Sequence, residues 1–202
     1  MGGRHPTNMR QVGRDAGADI RGGARLGSGG MSIDKDLTRK FNEQITLEFE
    51  ASMVYRQLAI AADMQDLSGM AAWLRHQADE EIVHANKFID HVVDREASAV
   101  IGAIPAPDVP EHITPVQIFE AALAHERKVS EAIRELYRAA EAAGDLSSRP
   151  LLNWFLEEQI EEEATVGEIV GQLKLVGEDG SGLLRIDSAL GARPVETTEN
   201  AG

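Results

Sequence analysis

An apolar seam at helical period recurs in four windows of about 25 to 30 residues, and this pattern constrains the chain more than any other feature. The first seam reads Phe41, Ile45, Glu48, Ser52, Tyr55, Ala59 and Ala62, and the second Met70, Leu74, Gln77, Glu81, His84, Phe88 and Val92. The third runs Phe119, Ala122, Glu126, Val129, Ile133, Leu136 and Ala140, and the fourth Leu152, Phe155, Gln159, Glu162, Val166, Ile169, Leu173 and Val176. Steps of three and four place each set on one face of a helix. Valine and isoleucine alternation over strand-length windows is missing, so the expected fold class is all-α, a four-helix bundle with the seams turned toward one another.

Connections define the topology. Ser32 or Asp34 is placed to cap the first helix, and Asp66, Leu67, Ser68 and Gly69 make a short turn into a second helix over about Ser68 to Ala97. The first two helices are therefore antiparallel. Residues 98–113 carry Pro105, Pro107 and Pro110, a composition that fits a long extended crossover along the bundle. Thr114 and Pro115 have the order of a cap and its first helical residue, and Gly144 and Asp145 end that helix. Ser147 or Ser148 with Pro150 opens the fourth. After the break from Gly177 to Gly182, Leu183, Leu184, Ile186 and Leu190 predict a short fifth helix over about 181–190. The structured domain is expected over 34–191, between a disordered Gly/Arg-rich arm at 1–33 and a flexible tail at 192–202.

All four seams are broken near their middles by ligand-type groups: Glu48, then Glu81 with His84, then Glu126, then Gln159 with Glu162. At 1.5 Å per residue each helix is about 40 Å long, so these mid-helix positions can meet at one level. Burying four carboxylates together costs several kcal/mol per ion unless something neutralises them. No Lys or Arg stands on the seams at that level, whereas two divalent cations bring four negative charges to zero. Oxygen donors with one imidazole suit iron or manganese, with zinc as a competitor. The expected site is dinuclear.

These residues resemble the ferritins of the non-haem bacterial type, over roughly Asp36 to Leu190. The likeness is carried by Phe41-Asn42-Glu43-Gln44-Ile45-Thr46-Leu47-Glu48 with Tyr55, by Glu80-Glu81-Ile82-Val83-His84, by His125-Glu126, and by the run from Trp154 to Glu163. It implies a ferritin-like bundle with a long crossover and a short fifth helix. It implies that Glu48 and His84 hold one iron, Glu81 bridges, and Glu126, Gln159 and Glu162 serve the second. Glu80, Glu158 and Glu161 match a third, inner iron site, the other reading being a solvated acidic helix face. Tyr55 matches a tyrosine beside the diiron centre, where it donates an electron or a hydrogen bond; as a core aromatic with a satisfied hydroxyl it reads equally well. Trp154 is read as packing. Ile82 stands where haem-binding relatives have methionine, and the fourth helix lacks E-x-x-H, so no haem is expected.

The function so implied is iron storage and detoxification: a ferroxidase that oxidises Fe(II) with oxygen or hydrogen peroxide and stores ferric mineral inside a homo-oligomeric cage of 24 subunits. A diiron peroxidase is an alternative, although the cysteine-rich electron-transfer module usual there is missing, since the chain has no cysteine. The absence of cysteine also excludes thiolate chemistry and, with no export segment, fits the cytoplasm. A net charge of −14 argues against nucleic-acid or anionic-membrane binding. The first 30 residues hold five arginines against Asp15 and Asp19, which leaves −17 on the remainder. That basic arm keeps a DNA-protecting ferritin-like particle as a further alternative. His5, His76, His91 and His112 have no motif partner and receive no role.

Overall fold

A computed structural model describes residues 32–193, so nearly all of the arm expected at 1–33 and the tail after Arg193 lie outside the described residues. Five helices follow in order: α1 (Lys35–Asp63), α2 (Ser68–Asp94), α3 (Pro115–Ala142), α4 (Arg149–Val176) and α5 (Gly180–Gly191), with one 3-10 turn, Leu146–Ser148, ahead of α4. No strand occurs among the described residues. The all-α bundle with a crossover and a short fifth helix is the observed architecture.

Helix ends follow local chemistry. Asp34 Oδ1 accepts from the amides of Asp36 at 2.9 Å and Leu37 at 3.3 Å, so Asp34 rather than Ser32 caps α1. Thr114 and Gln117 form a reciprocal capping box with Pro115 at the first helical position. α2 ends at Asp94, three residues before the expected Ala97: Glu96 adopts a left-handed φ of 55°, which breaks the helical path. Ser148 opens α4, but its hydroxyl gives no cap hydrogen bond there. It donates instead to Asp145 Oδ2 at 2.7 Å and accepts from Arg95 Nη1 at 3.0 Å, which ties the end of α2 to the α3–α4 turn. His91, which sequence gave no role, joins this cluster through Nε2 at 2.8 Å from Ser148 Oγ.

The segment between α2 and α3 runs the length of α1. Asn42 Nδ2 donates to Ser98 O, Thr46 Oγ1 accepts from the Gly102 amide, and Gln65 Nε2, at the far end of α1, donates to Ile113 O. α3 therefore starts at the end of the bundle where α2 starts, and α4 returns antiparallel to it.

Every seam residue is buried except Val176, which is half-buried. The apolar core falls into two halves. One gathers Leu58, Met70, Leu74, Phe119 and Ile169 with α5, and the other gathers Phe41, Phe88, Ile133 and Phe155, where Phe88 and Phe155 stack with ring centroids 4.0 Å apart. Ile33 belongs to the second half, so packing begins just before α1. Burying each such side chain contributes about 1.5–3 kcal/mol. Between the halves lies a polar layer containing the residues that interrupt the seams.

α5 is fixed by a tertiary cap. Leu67 offers no side chain to the N-terminus of α2, and Asp187 of α5 fills that role by accepting from the Met70 amide at 2.8 Å. The approach requires Gly69, because a Cβ there would stand 1.9 Å from Asp187 O. Gly69→Ala is expected to cost about 1–3 kcal/mol by forcing α5 off the bundle. Hydrogen exchange should accelerate over residues 180–191 and stay slow over α1 and α3; unchanged protection of α5 would refute this docking.

Candidate metal centre

The polar layer is assembled from the four helices at one level. Glu48 comes from α1, Glu81 and His84 from α2, Glu126 from α3, and Gln159 and Glu162 from α4; all are buried, with Glu162 the most accessible at 8% exposed. Glu81 and His84, separated by three residues, converge on one face of α2, with His84 Nδ1 3.3 Å from Glu81 Oε2. Glu48, Glu81 and His84 each offer one donor atom, and these atoms lie within 4.8 Å of one another, a grouping that can hold a metal ion.

Glu126, Gln159 and Glu162 adjoin this trio, but each is held by a neighbour. The Tyr55 hydroxyl donates to Glu126 Oε1 at 2.5 Å. Gln77 Nε2 donates to both oxygens of Glu162, at 3.2 and 3.1 Å. Ser130 Oγ donates to Gln159 Oε1 at 2.9 Å. On the other side Gln44 Nε2 donates to Glu48 Oε1 at 2.8 Å. Sequence places Gln77 on the second seam and Gln44 in the first motif, but neither they nor Ser130 are expected there as partners of the ligand-type groups. The available signal was position: Gln77 precedes Glu81 by four residues and Ser130 follows Glu126 by four, one turn along the same faces.

The layer is electrostatically unbalanced without a cation. Burial, and then the Glu81 carboxylate, push Glu48 well above the usual carboxylate range. Burial, and then Glu126 and Glu162, do the same to Glu81. Glu162 is raised by burial and then by Glu126, Glu80 and Glu158. Burial raises Glu126 too, against the Tyr55 hydrogen bond that favours its charged form. Burial also raises the Tyr55 phenol, followed by the charges of Glu126, Glu162 and Glu81, so it stays protonated as a donor.

Five buried side-chain polar atoms have no hydrogen-bond partner among the described residues: Glu48 Oε2, His84 Nε2, Glu126 Oε2, Gln159 Nε2 and His125 Nε2. Four of them belong to the seam-breaking set. Such atoms are rare in folded proteins because each costs about 1–3 kcal/mol, so four of them on the seam-breaking residues make this layer the candidate ligand site. The fifth belongs to His125, whose imidazole is kept neutral by burial and the nearby Lys128, with its pKa lowered to about 4.

The three remaining acidic positions sit at the edge of the layer. Glu80 and Glu158 are half-buried and Glu161 is exposed. Glu80 pairs with His76 at 3.7 Å. Burial raises Glu158, with Glu161 adding to the shift and His84 opposing it. Trp154 packs edge-on to His84 with ring centroids 5.7 Å apart and carries Lys87 Nζ 4.6 Å from its ring centroid, an arrangement consistent with packing.

Comparison with known proteins agrees with this architecture. The Ferritin-like domain family matches residues 38–176. A bacterial non-heme ferritin of Staphylococcus saprophyticus is 34% identical over 167 residues, covering 83% of this chain and 99% of its own. One from Bacteroides fragilis is 35% identical over 162 residues, covering 80% and 99%. Among solved structures, an open pore ferritin from the hyperthermophilic archaeon Archaeoglobus fulgidus superposes with a TM-score of 0.79 at 34% identity, covering 82% of this chain and all of that one.

Because the folded carboxyls hold protons that the unfolded ones, near 4.5, release, the folded state binds more protons above that value and stability falls as pH rises. Chelator-treated protein should therefore lose thermal stability from about pH 5 to about pH 7.5. Glu48→Gln with Glu81→Gln should flatten the trend in the same thermal scans, and so should a saturating divalent cation. A pH-independent melting temperature in the chelated parent would contradict the charge balance.

Proposed function

Because the chain belongs to the ferritin family, we propose that it stores and detoxifies iron by oxidising Fe(II) at a dinuclear site within each subunit. The observation that carries this reading is the grouping of Glu48, Glu81 and His84 donor atoms within 4.8 Å of one another in a buried layer where, among the described residues, Glu48 Oε2, His84 Nε2 and Glu126 Oε2 have no hydrogen-bond partner and no Lys or Arg is buried. Iron is the substrate. Glu48 and His84 would receive one Fe(II), Glu81 would bridge, and Glu126, Gln159 and Glu162 would receive the second. The four carboxylates then balance two divalent charges.

Each ion gives up one electron. The pair delivers two electrons to dioxygen, which with two protons becomes hydrogen peroxide, or to hydrogen peroxide, which with two protons becomes two waters. The protein supplies position and charge: Tyr55 keeps Glu126 turned into the layer through its hydroxyl, and Gln44 keeps Glu48 in place. Glu80, Glu158 and Glu161, on the α2/α4 face beside Glu162, offer the next acidic step, a third iron site.

In this reading the subunits assemble into a cage of 24, with the ferric mineral inside, in the cytoplasm. Support comes from the bacterial non-heme ferritins that this chain matches over 99% of their length at 34–35% identity. No haem is assigned. No helix among the described residues is long and apolar enough to cross a membrane.

Aerobic Fe(II) addition tests the proposal. Glu81→Ala with His84→Ala should slow oxidation by at least about a hundredfold, as loss of a positioned metal pair requires. Sizing with iron analysis should find a large particle that retains ferric iron. Oxidation at the parent rate in the double variant would overturn the dinuclear assignment.

A further inference from the structure

The Ser130 hydroxyl on α3 is 1% exposed and faces two acceptors, Gln159 Oε1 at 2.9 Å and Glu163 Oε1 at 2.6 Å. One hydroxyl carries one proton and cannot donate to both at once. Glu163 therefore stands as an alternative acceptor for the proton that Ser130 gives to Gln159. Glu163 is itself flanked by guanidiniums, Arg134 Nη2 at 3.6 Å and Arg127 Nε at 3.8 Å, which fix its carboxylate at the edge of the layer.

Across the same amide, Gln159 Nε2 is buried without a hydrogen-bond partner. It faces Glu126 and favours that carboxyl's charged form. A half-turn of the amide exchanges its oxygen and nitrogen. Nε2 then reaches Ser130 Oγ, which is free to accept once its proton points to Glu163. Oε1 then faces the space beside Glu126 Oε2, which is also unpartnered. Two acceptors face each other stably only with a cation or a proton between them, so the half-turn is unfavourable in the metal-free layer while Glu126 is ionised and favourable in the loaded one. Ser130 fits both states because a hydroxyl donates in one and both donates and accepts in the other.

We propose that Ser130 is a positioning residue that lets the Gln159 amide turn its oxygen inward when a divalent cation enters beside Glu126, with Glu163 accepting the Ser130 proton in a hydrogen bond. The inference rests on the dinuclear reading and adds to it the device that converts Gln159 from a hydrogen-bond donor into an oxygen ligand. It also gives Glu163, next to Glu162 but pointing elsewhere, a function apart from direct ligation.

Anaerobic titration with Co(II), followed by its visible absorption, tests this without turnover. The parent should bind two Co(II) per subunit. Ser130→Ala should weaken the second by about tenfold, the usual effect of removing a hydrogen-bond partner of a ligand. The first, at Glu48, Glu81 and His84, should be unchanged and serves as the folding control. Gln159→Glu presents oxygen in either orientation, so adding Ser130→Ala to it should alter the second affinity by less than about twofold. An equal loss in both backgrounds would mean that Ser130 only packs, and no loss in either would mean that it does not act; both overturn the proposal. A parent binding fewer than two Co(II) overturns the dinuclear reading itself.

Discussion

The structure depends on one costly arrangement: four carboxylates buried at the same level in the middle of a helical bundle. Burial makes each harder to ionise, and their mutual repulsion compounds the effect at Glu48, Glu81 and Glu162. The layer persists because the two apolar halves above and below it hold the helices in place regardless of what the layer contains. Stability is therefore concentrated at the ends of the bundle, and the middle is left free to serve chemistry. Apolar seam residues serve the ends of each helix and polar ones the middle, which is why one continuous periodic pattern encodes both.

The two halves of the layer are organised differently. Glu48, Glu81 and His84 bring their donor atoms together directly, with Gln44 steadying Glu48. Glu126, Gln159 and Glu162 are each engaged by a neutral partner, Tyr55, Ser130 and Gln77. These partners stabilise the set while no cation is present, and they stand where a cation would compete for the same oxygens.

Much of this was legible in the sequence because helical periodicity is a local property. The seams, the crossover with its prolines, the capping pair Thr114 and Pro115, and the short fifth helix all appear at about the expected positions. The end of α2 was misplaced by three residues because nothing in Asp94-Arg95-Glu96 is a strong helix breaker; the left-handed turn at Glu96 comes with the chain's change of direction into the crossover. The six interrupting residues were found because a polar group on an apolar face, five of them ionisable and Gln159 an amide, is visible without knowing what lies opposite.

Gln77, Ser130 and Gln44 were invisible as partners, since a glutamine or serine on a helix is compatible with many environments until the facing helix is known. The same holds for Asp187, an ordinary residue of a short helix that becomes the cap of a different one through Gly69. Sequence by itself determined the four seams, their polar interruptions and the donor types available there, because these follow from residue identity and a 3.6-residue period. Tertiary structure alone decided which donors meet, which atoms are left without partners and which neutral side chains hold them, because each of these depends on distances between helices far apart in the chain.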